Sequence, residues 1–450
     1  MASNTADSAT GTVPPITDAA GIAVDPIAPP DPGEATELSS GAAWYMLIVL
    51  MLTNTLSYLD RQLPFILGEP IKRELHLSDV QLGLLGGASF MIVYSTVAIP
   101  LSRLADRKSH VGVLSGAVLV WSLLTSAGAW AQTFFQLILS RVGVAAGEAG
   151  AIPPAHAMIA RVFDEKRRGK AMSIYQLGLP LGTMCGLAGG GFIADHGGWR
   201  LALMVMGVPG ILLALLVATT IKLPPRRKHE MPRSSESLLF VFKRLLGEPA
   251  YRNLVFGITA FAFISYGFSV FQPAVLIRIY GLTTTETGLA IGLSQGGIGV
   301  VGTLLSGYVS DRLSRRDPRW RPWLSAILLA TIAPFFIAAQ FAPNAVVCVI
   351  LLWVPLACFV GFLPPAYAAI QEVTPPHMRA MAAGIMVLCI NLIGSSLGPL
   401  LTGALSDALK PALGLDALRV ALSVCVIFPL IGSVFFLRAA HHLARARARL

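Results

Sequence analysis

Apolar residues along this chain gather into runs of about 20, the length at which a helix rising 1.5 Å per residue crosses a bilayer. Short polar breaks separate the runs. Spans 1 to 6 are predicted near 44–66, 80–102, 111–131, 133–160, 170–194 and 200–221. Spans 7 to 12 are predicted near 252–279, 287–309, 323–341, 346–370, 380–405 and 416–437. The expected fold class is an all-α membrane protein of twelve transmembrane helices. The loops are too short to hold a soluble enzymatic domain.

The pattern is written twice. Gly150, Pro153, Pro154, Ala155, Ala157, Ile159 and Arg168 recur 211 residues later as Gly361, Pro364, Pro365, Ala366, Ala368, Ile370 and Arg379. Gly182, Gly186, Gly191 and Asp195 recur as Gly394, Gly398, Gly403 and Asp407. Two duplicated membrane halves suit a secondary transporter, in which one bundle rocks against the other around a central site. Glycines concentrate in spans 2, 5, 8 and 11, where small residues let helices approach and slide. The expected organisation is a disordered tail (1–42), an N-terminal bundle (43–222), a linker (223–250), a C-terminal bundle (251–438) and a basic tail (439–450). Within the linker, Leu238, Phe242, Leu245 and Leu246 share one helical face, with Lys243 and Arg244 off it, as in a helix lying at the membrane interface.

Composition agrees with the pattern. The 450 residues are 54% hydrophobic and 13% charged, against about 25% charged in soluble domains, and the mean hydropathy is +0.68. The net charge of +10 follows topology rather than nucleic-acid binding. Of the basic residues, Lys72, Arg73, Arg200, Arg278, Lys410 and Arg419 fall outside and Arg61 and Arg141 within spans; the remainder is cytoplasmic if both termini are. The five cysteines lie in apolar spans without paired spacing and read as packing residues, with no metal site. No Walker motif is present, so ATP is not the expected energy source, and neither a cofactor nor an enzymatic activity is expected.

Four ionisable residues interrupt the spans: Asp60, Arg61, Arg141 and Glu148. Charge at the bilayer centre is expensive unless paired or hydrated, so a functional role is the default. By helical rise Asp60 lies about 9 Å, and Arg141 about 12 Å, from the outer ends of their helices. That depth predicts an Asp60–Arg141 pair, with Glu148 two turns deeper on the same face as Arg141. In the repeat, Arg141 and Glu148 become Leu352 and Phe359, and the span-1 pair aligns near Ser269 and Val270. The second half builds the same bundle without these charges, which weakens a purely architectural account.

The loop Leu104-Ala105-Asp106-Arg107 and its repeat Val309-Ser310-Asp311-Arg312 resemble the Asp-Arg loop motif of the major facilitator superfamily, as do Arg141 and the Arg168-Gly169-Lys170-Ala171 segment. Ser102, Ser109 and His110 depart from that motif in the first copy. Within the superfamily, Ser57-Tyr58-Leu59-Asp60-Arg61 with Arg141 and Glu148 resembles the spinster-type lipid transporters. The resemblance implies two six-helix bundles and an amphipathic substrate such as a lysophospholipid or sphingoid-type molecule.

The expected mechanism is proton-coupled alternating access in a monomer in the cell membrane, with a bacterial inner membrane as the expected location. Asp60 would carry the proton, Arg61 and Arg141 would be its charge partners, and Glu148 a second titratable group. Asp106, Arg107, Asp311 and Arg312 are expected to form cytoplasmic gates. Tyr266, Gln272, Gln295, Phe359, Tyr367 and Asn391 are expected to line the substrate cavity. Two alternatives stay open: an exporter of small amphiphilic drugs or organic anions, and a membrane receptor that transports nothing.

Overall fold

The computed structural model describes residues 39–223, 238–375 and 378–447. Among the described residues the regular structure is helical, with no strand. Helices start where a short side chain can accept from orphan backbone N–H groups. Ser78 and Thr283 form capping boxes with Gln81 and Glu286, and Ser109, Thr133 and Asn344 cap their helices from the side chain.

Nine described stretches are long and apolar enough to cross a membrane. Two of them, Lys166–Thr220 and Met381–Leu443, run to 55 and 63 residues. At 1.5 Å per residue such lengths far exceed a bilayer, so each holds two passes. The first folds back at Gly198 (φ 79°) and the second at Gly414 (φ 57°), in the left-handed region that glycine adopts without a Cβ penalty. Phe134–Glu148 and Ile152–Val162 together make span 4, interrupted ahead of Pro153 and Pro154. Twelve passes result among the described residues. One π-helical turn interrupts each of spans 2, 8 and 11, at Leu84–Ala88, Ser294–Ile298 and Ile390–Ser395.

Two elements go beyond the expectation. A short helix, Gly68–Leu75, follows span 1 at the face away from the chain ends, here the distal face. Helix Ile427–Arg447 carries the last span well into the stretch expected as a basic tail. Residues 1–38, 224–237 and 448–450 of the expected tails and linker lie outside the described residues. Of the helix expected in the linker, Leu238–Gly247 is present, with Leu245 buried.

One apolar cluster unites the C-terminal bundle with Leu63, Phe65, Ile71, Leu82 and Leu85 of the first half. A second, around Trp121, Met158 and Tyr175, draws its buried residues from the N-terminal half alone. The halves therefore share a core toward the distal face. Spans 5 and 8 touch there so closely that a Cβ on Gly288 would sit 2.1 Å from Leu187 O; on Gly403 it would sit 2.4 Å from Asp79 O, between spans 2 and 11.

Candidate transport site

Helix Ser40–Ile66 presents Ser57 and Arg61 one turn apart on one face. Both reach the same oxygen of Glu148 on span 4: Ser57 Oγ donates to Oε2 at 2.9 Å and Arg61 Nε at 2.7 Å. Glu148 is fully buried, whereas the Arg61 side chain keeps 13% exposure. The Arg61 guanidinium lies over the rings of Tyr58 (5.1 Å), Phe90 (5.4 Å) and Tyr94 (4.6 Å). Such a cage favours a cation electrostatically without neutralising it. From the second half, Tyr266 lies close enough to interact with Arg61, Tyr58 and Tyr94, and Tyr367 with Tyr58. A partly exposed guanidinium ringed by tyrosines from both halves can take an anionic head group, with ring faces for an apolar chain.

The pairing differs from expectation. No ion pair joins Asp60 to Arg141. Asp60 neighbours Arg61 in sequence, so its side chain points about 100° further around the helix, into the N-terminal bundle. There it neighbours Arg141, Glu148, Trp121 and Thr125. Depth alone could not show that Arg61, rather than Asp60, faces span 4's carboxylate. Phe90 and Tyr94 carry no sequence signal, and Ser57 and Tyr58 stood only within the family-like motif, without a role; the helical spacing of Ser57 from Arg61 was the available signal.

The cavity residues divide. Tyr266, Gln295 and Asn391 are half-buried and Tyr367 exposed. Gln272 is sealed inside the C-terminal bundle, where it accepts from Gln340 Nε2 at 2.9 Å. Phe359, expected to line the pathway, instead packs edge-on to Phe261 (5.2 Å) and Phe268 (5.4 Å). A phenylalanine replacing a glutamate needs no polar partner, and the bundle core absorbs it.

The distal face is closed by polar contacts between the halves. Arg278, ending span 7, donates from Nε to Glu69 Oε2 at 2.5 Å and from Nη2 to Asp79 Oδ1 at 2.8 Å. Lys72 also pairs with Asp79, and Ser406 Oγ donates to Asp79 Oδ2 at 2.7 Å. Burial, then the nearby Arg278 charge, lower the Lys72 ammonium below the usual lysine range. Two carboxylates then repeat one device. Asp407 accepts from the backbone N–H of Asp79 and Val80, and Asp195 from those of Thr284 and Thr285, at 2.7–3.1 Å. Each anion caps the first turn of a helix in the other half, where free N–H groups and the helix dipole favour it. The sequence repeat marked Asp195 and Asp407 without revealing this use.

At the opposite face Arg107, Asp311 and Arg312 are exposed, and none forms an ion pair among the described residues. Arg312 Nη1 reaches Tyr308 Oη of its own helix at 3.4 Å. The Asp106 side chain lies outside the described residues.

Two six-helix bundles related by an internal repeat and clasped at one face have the architecture of a membrane transporter. A profile of the Major Facilitator Superfamily matches residues 50–399. An MFS-type efflux pump of Mycolicibacterium smegmatis is 37% identical over 395 residues, covering 88% of this chain and 92% of the relative. Protein spinster homolog 1 of Xenopus tropicalis is 28% identical over 456 residues, covering 93% and 85%. Among solved structures, a bacterial homolog of the human lysosomal transporter spinster, inward-facing and unoccupied, superposes with TM-score 0.83 at 27% identity, covering 91% of this chain and 99% of that one. Its occupied inward-facing form gives 0.80. The chain belongs to the major facilitator superfamily and, within it, is a multi-pass transporter of the spinster type.

Proposed function

We propose that this protein moves an amphipathic, lipid-like anion or zwitterion, of the lysophospholipid or sphingoid class, by proton-coupled alternating access. The chain ends would be cytoplasmic, in a bacterial inner membrane, and the distal face external. The observation that carries the reading is the Arg61–Glu148 pair inside the tyrosine ring. Glu148 occupies the Arg61 Nε that a head group would take. Protonating Glu148 removes that competing anion, and the freed guanidinium binds the head group through charge-assisted hydrogen bonds. Asp60 and Arg141, sealed behind the pair, would couple its state to the packing of spans 1, 3 and 4. The Asp-Arg loops at 106–107 and 311–312 would engage once the bundles rock to the outward-facing state.

The likeness to an efflux pump favours a second reading, export of small amphiphilic compounds through the same site. Proteoliposome flux distinguishes the two across lysophospholipids and amphiphilic drugs, with and without a pH gradient. Glu148→Gln and Asp60→Asn should each keep counterflow exchange and lose gradient-driven accumulation. Arg61→Ala should lose both. Normal accumulation by both carboxylate variants would remove the coupling role, and flux of drugs without lysolipids would select the second reading.

A further inference from the structure

Behind the Arg61–Glu148 pair, inside the N-terminal bundle, lies a small cavity lined in part by Pro64, Thr125, Leu137, Ser140, Arg141 and Leu203. Its volume of about 10 Å³ is about what one water molecule requires. Buried polar atoms without partners belong to residues that line or adjoin it. Arg141 Nε and Nη1 and Thr125 Oγ1 belong to lining residues that are 5% and 2% exposed. Asp60 Oδ1 and Trp121 Nε1 lie beside them, equally unpartnered. Trp121 and Thr125 face the Asp60 carboxyl closely enough to interact with it, although none of Asp60 Oδ1, Thr125 Oγ1 and Trp121 Nε1 has a partner in hydrogen-bond geometry. Polar groups that are near but too far for a direct bond are the setting in which a bridging water belongs. Three or four partners satisfy one water, and Arg141 and Thr125 on the lining, with Asp60 and Trp121 as their neighbours, offer donors and an acceptor.

We infer that this cavity is a water-binding site, and that Asp60 exchanges its proton through this water, held in place by Thr125, inside the bundle, apart from the tyrosine-ringed space where Arg61 meets substrate. The water oxygen accepts from Arg141, and the water donates toward Thr125 and Asp60. A proton arriving at the water lets it pass one of its own to Asp60 Oδ1, which restores the water and leaves the carboxyl neutral. Arg141 and Glu148 of span 4 are the charged groups facing Asp60. The relay rests on the coupling role proposed above; the water site does not. Thr125 is a positioning residue in this scheme.

Two measurements on the full-length protein test it. X-ray radiolytic labelling in ¹⁸O water modifies side chains beside bound internal water. Pro64 and Leu137 should label at least fivefold faster than Leu254 and Leu329, which are completely buried away from the cavity. Equal rates would overturn the water site. In proteoliposomes with radiolabelled lysophosphatidylcholine as probe, Thr125→Val should cut pH-gradient-driven accumulation about tenfold and leave equal-pH counterflow within twofold, and Thr125→Ser should restore coupling. Unchanged coupling in Thr125→Val, or parallel loss of counterflow, would overturn the relay. A wild-type protein indifferent to the pH gradient removes the coupling reading and the relay together, and labelling still decides the water site.

Discussion

Arg278→Ala tests whether the distal clasp sets the resting conformation. The guanidinium bridges Glu69 and Asp79 of the other half, and both acidic side chains are at most 6% exposed. Removing one partner of a buried ion pair costs about 3–5 kcal/mol, because a charge is left stranded. Here Lys72 remains on Asp79 and Arg73 on Glu69, so the low end, about 3 kcal/mol, is the appropriate figure. The loss falls on the state with the distal face closed and spares one in which the clasp is already broken. At 1.4 kcal/mol per tenfold, the ratio of closed to open shifts roughly a hundredfold, enough to bring a 99:1 mixture near even. Spin labels at exposed Gln132 and Leu415, one in each half, report the opening by pulsed electron resonance once Cys185 and Cys389 are replaced by Ala. A second, longer distance should gain about half the population, and Arg278→Lys should fall between, since a point charge cannot bridge two carboxylates as a fork does. An unchanged distance distribution in Arg278→Ala would refute the clasp.

Gly288→Val should block closure of the distal face, because even its Cβ would fall 2.1 Å from Leu187 O; the same labels should then show the open distance, with flux below a tenth of wild type. Phe359→Ala should cost stability by about 3–5 kcal/mol for a buried aromatic rather than alter substrate choice, measured as a fall in thermal unfolding temperature with an unchanged substrate panel. Gln272→Leu should destabilise by about 1–3 kcal/mol by stranding the Gln340 amide. Adding Gln340→Leu should recover most of that loss, and failure to recover would contradict the shared hydrogen bond.

Helix positions, the duplication and the membrane setting were legible in the sequence, because a bilayer demands about 20 apolar residues per pass and the repeat spells each half separately. The turn near Gly198 was likewise legible, as the break between spans 5 and 6, whereas the interruptions ahead of Pro153-Pro154 and Pro364-Pro365 fall inside spans 4 and 10, which the apolar pattern runs through unbroken. Partner choice was not legible either. Asp60 and Arg61 are adjacent in sequence, and only the packed rotation of span 1 decides that Arg61 reaches Glu148 while Asp60 turns to Thr125 and Trp121. Phe359 and Gln272 carry the same ambiguity: an apolar or amide side chain on a spanning helix can face a bundle core or a pathway. Asp195 and Asp407 stood out as repeated residues, but their N–H donors lie on helices of the other half, some 89 and 328 residues away in sequence. Sequence spacing reports what one helix presents on each face; which face meets which neighbour is decided by how the two bundles dock.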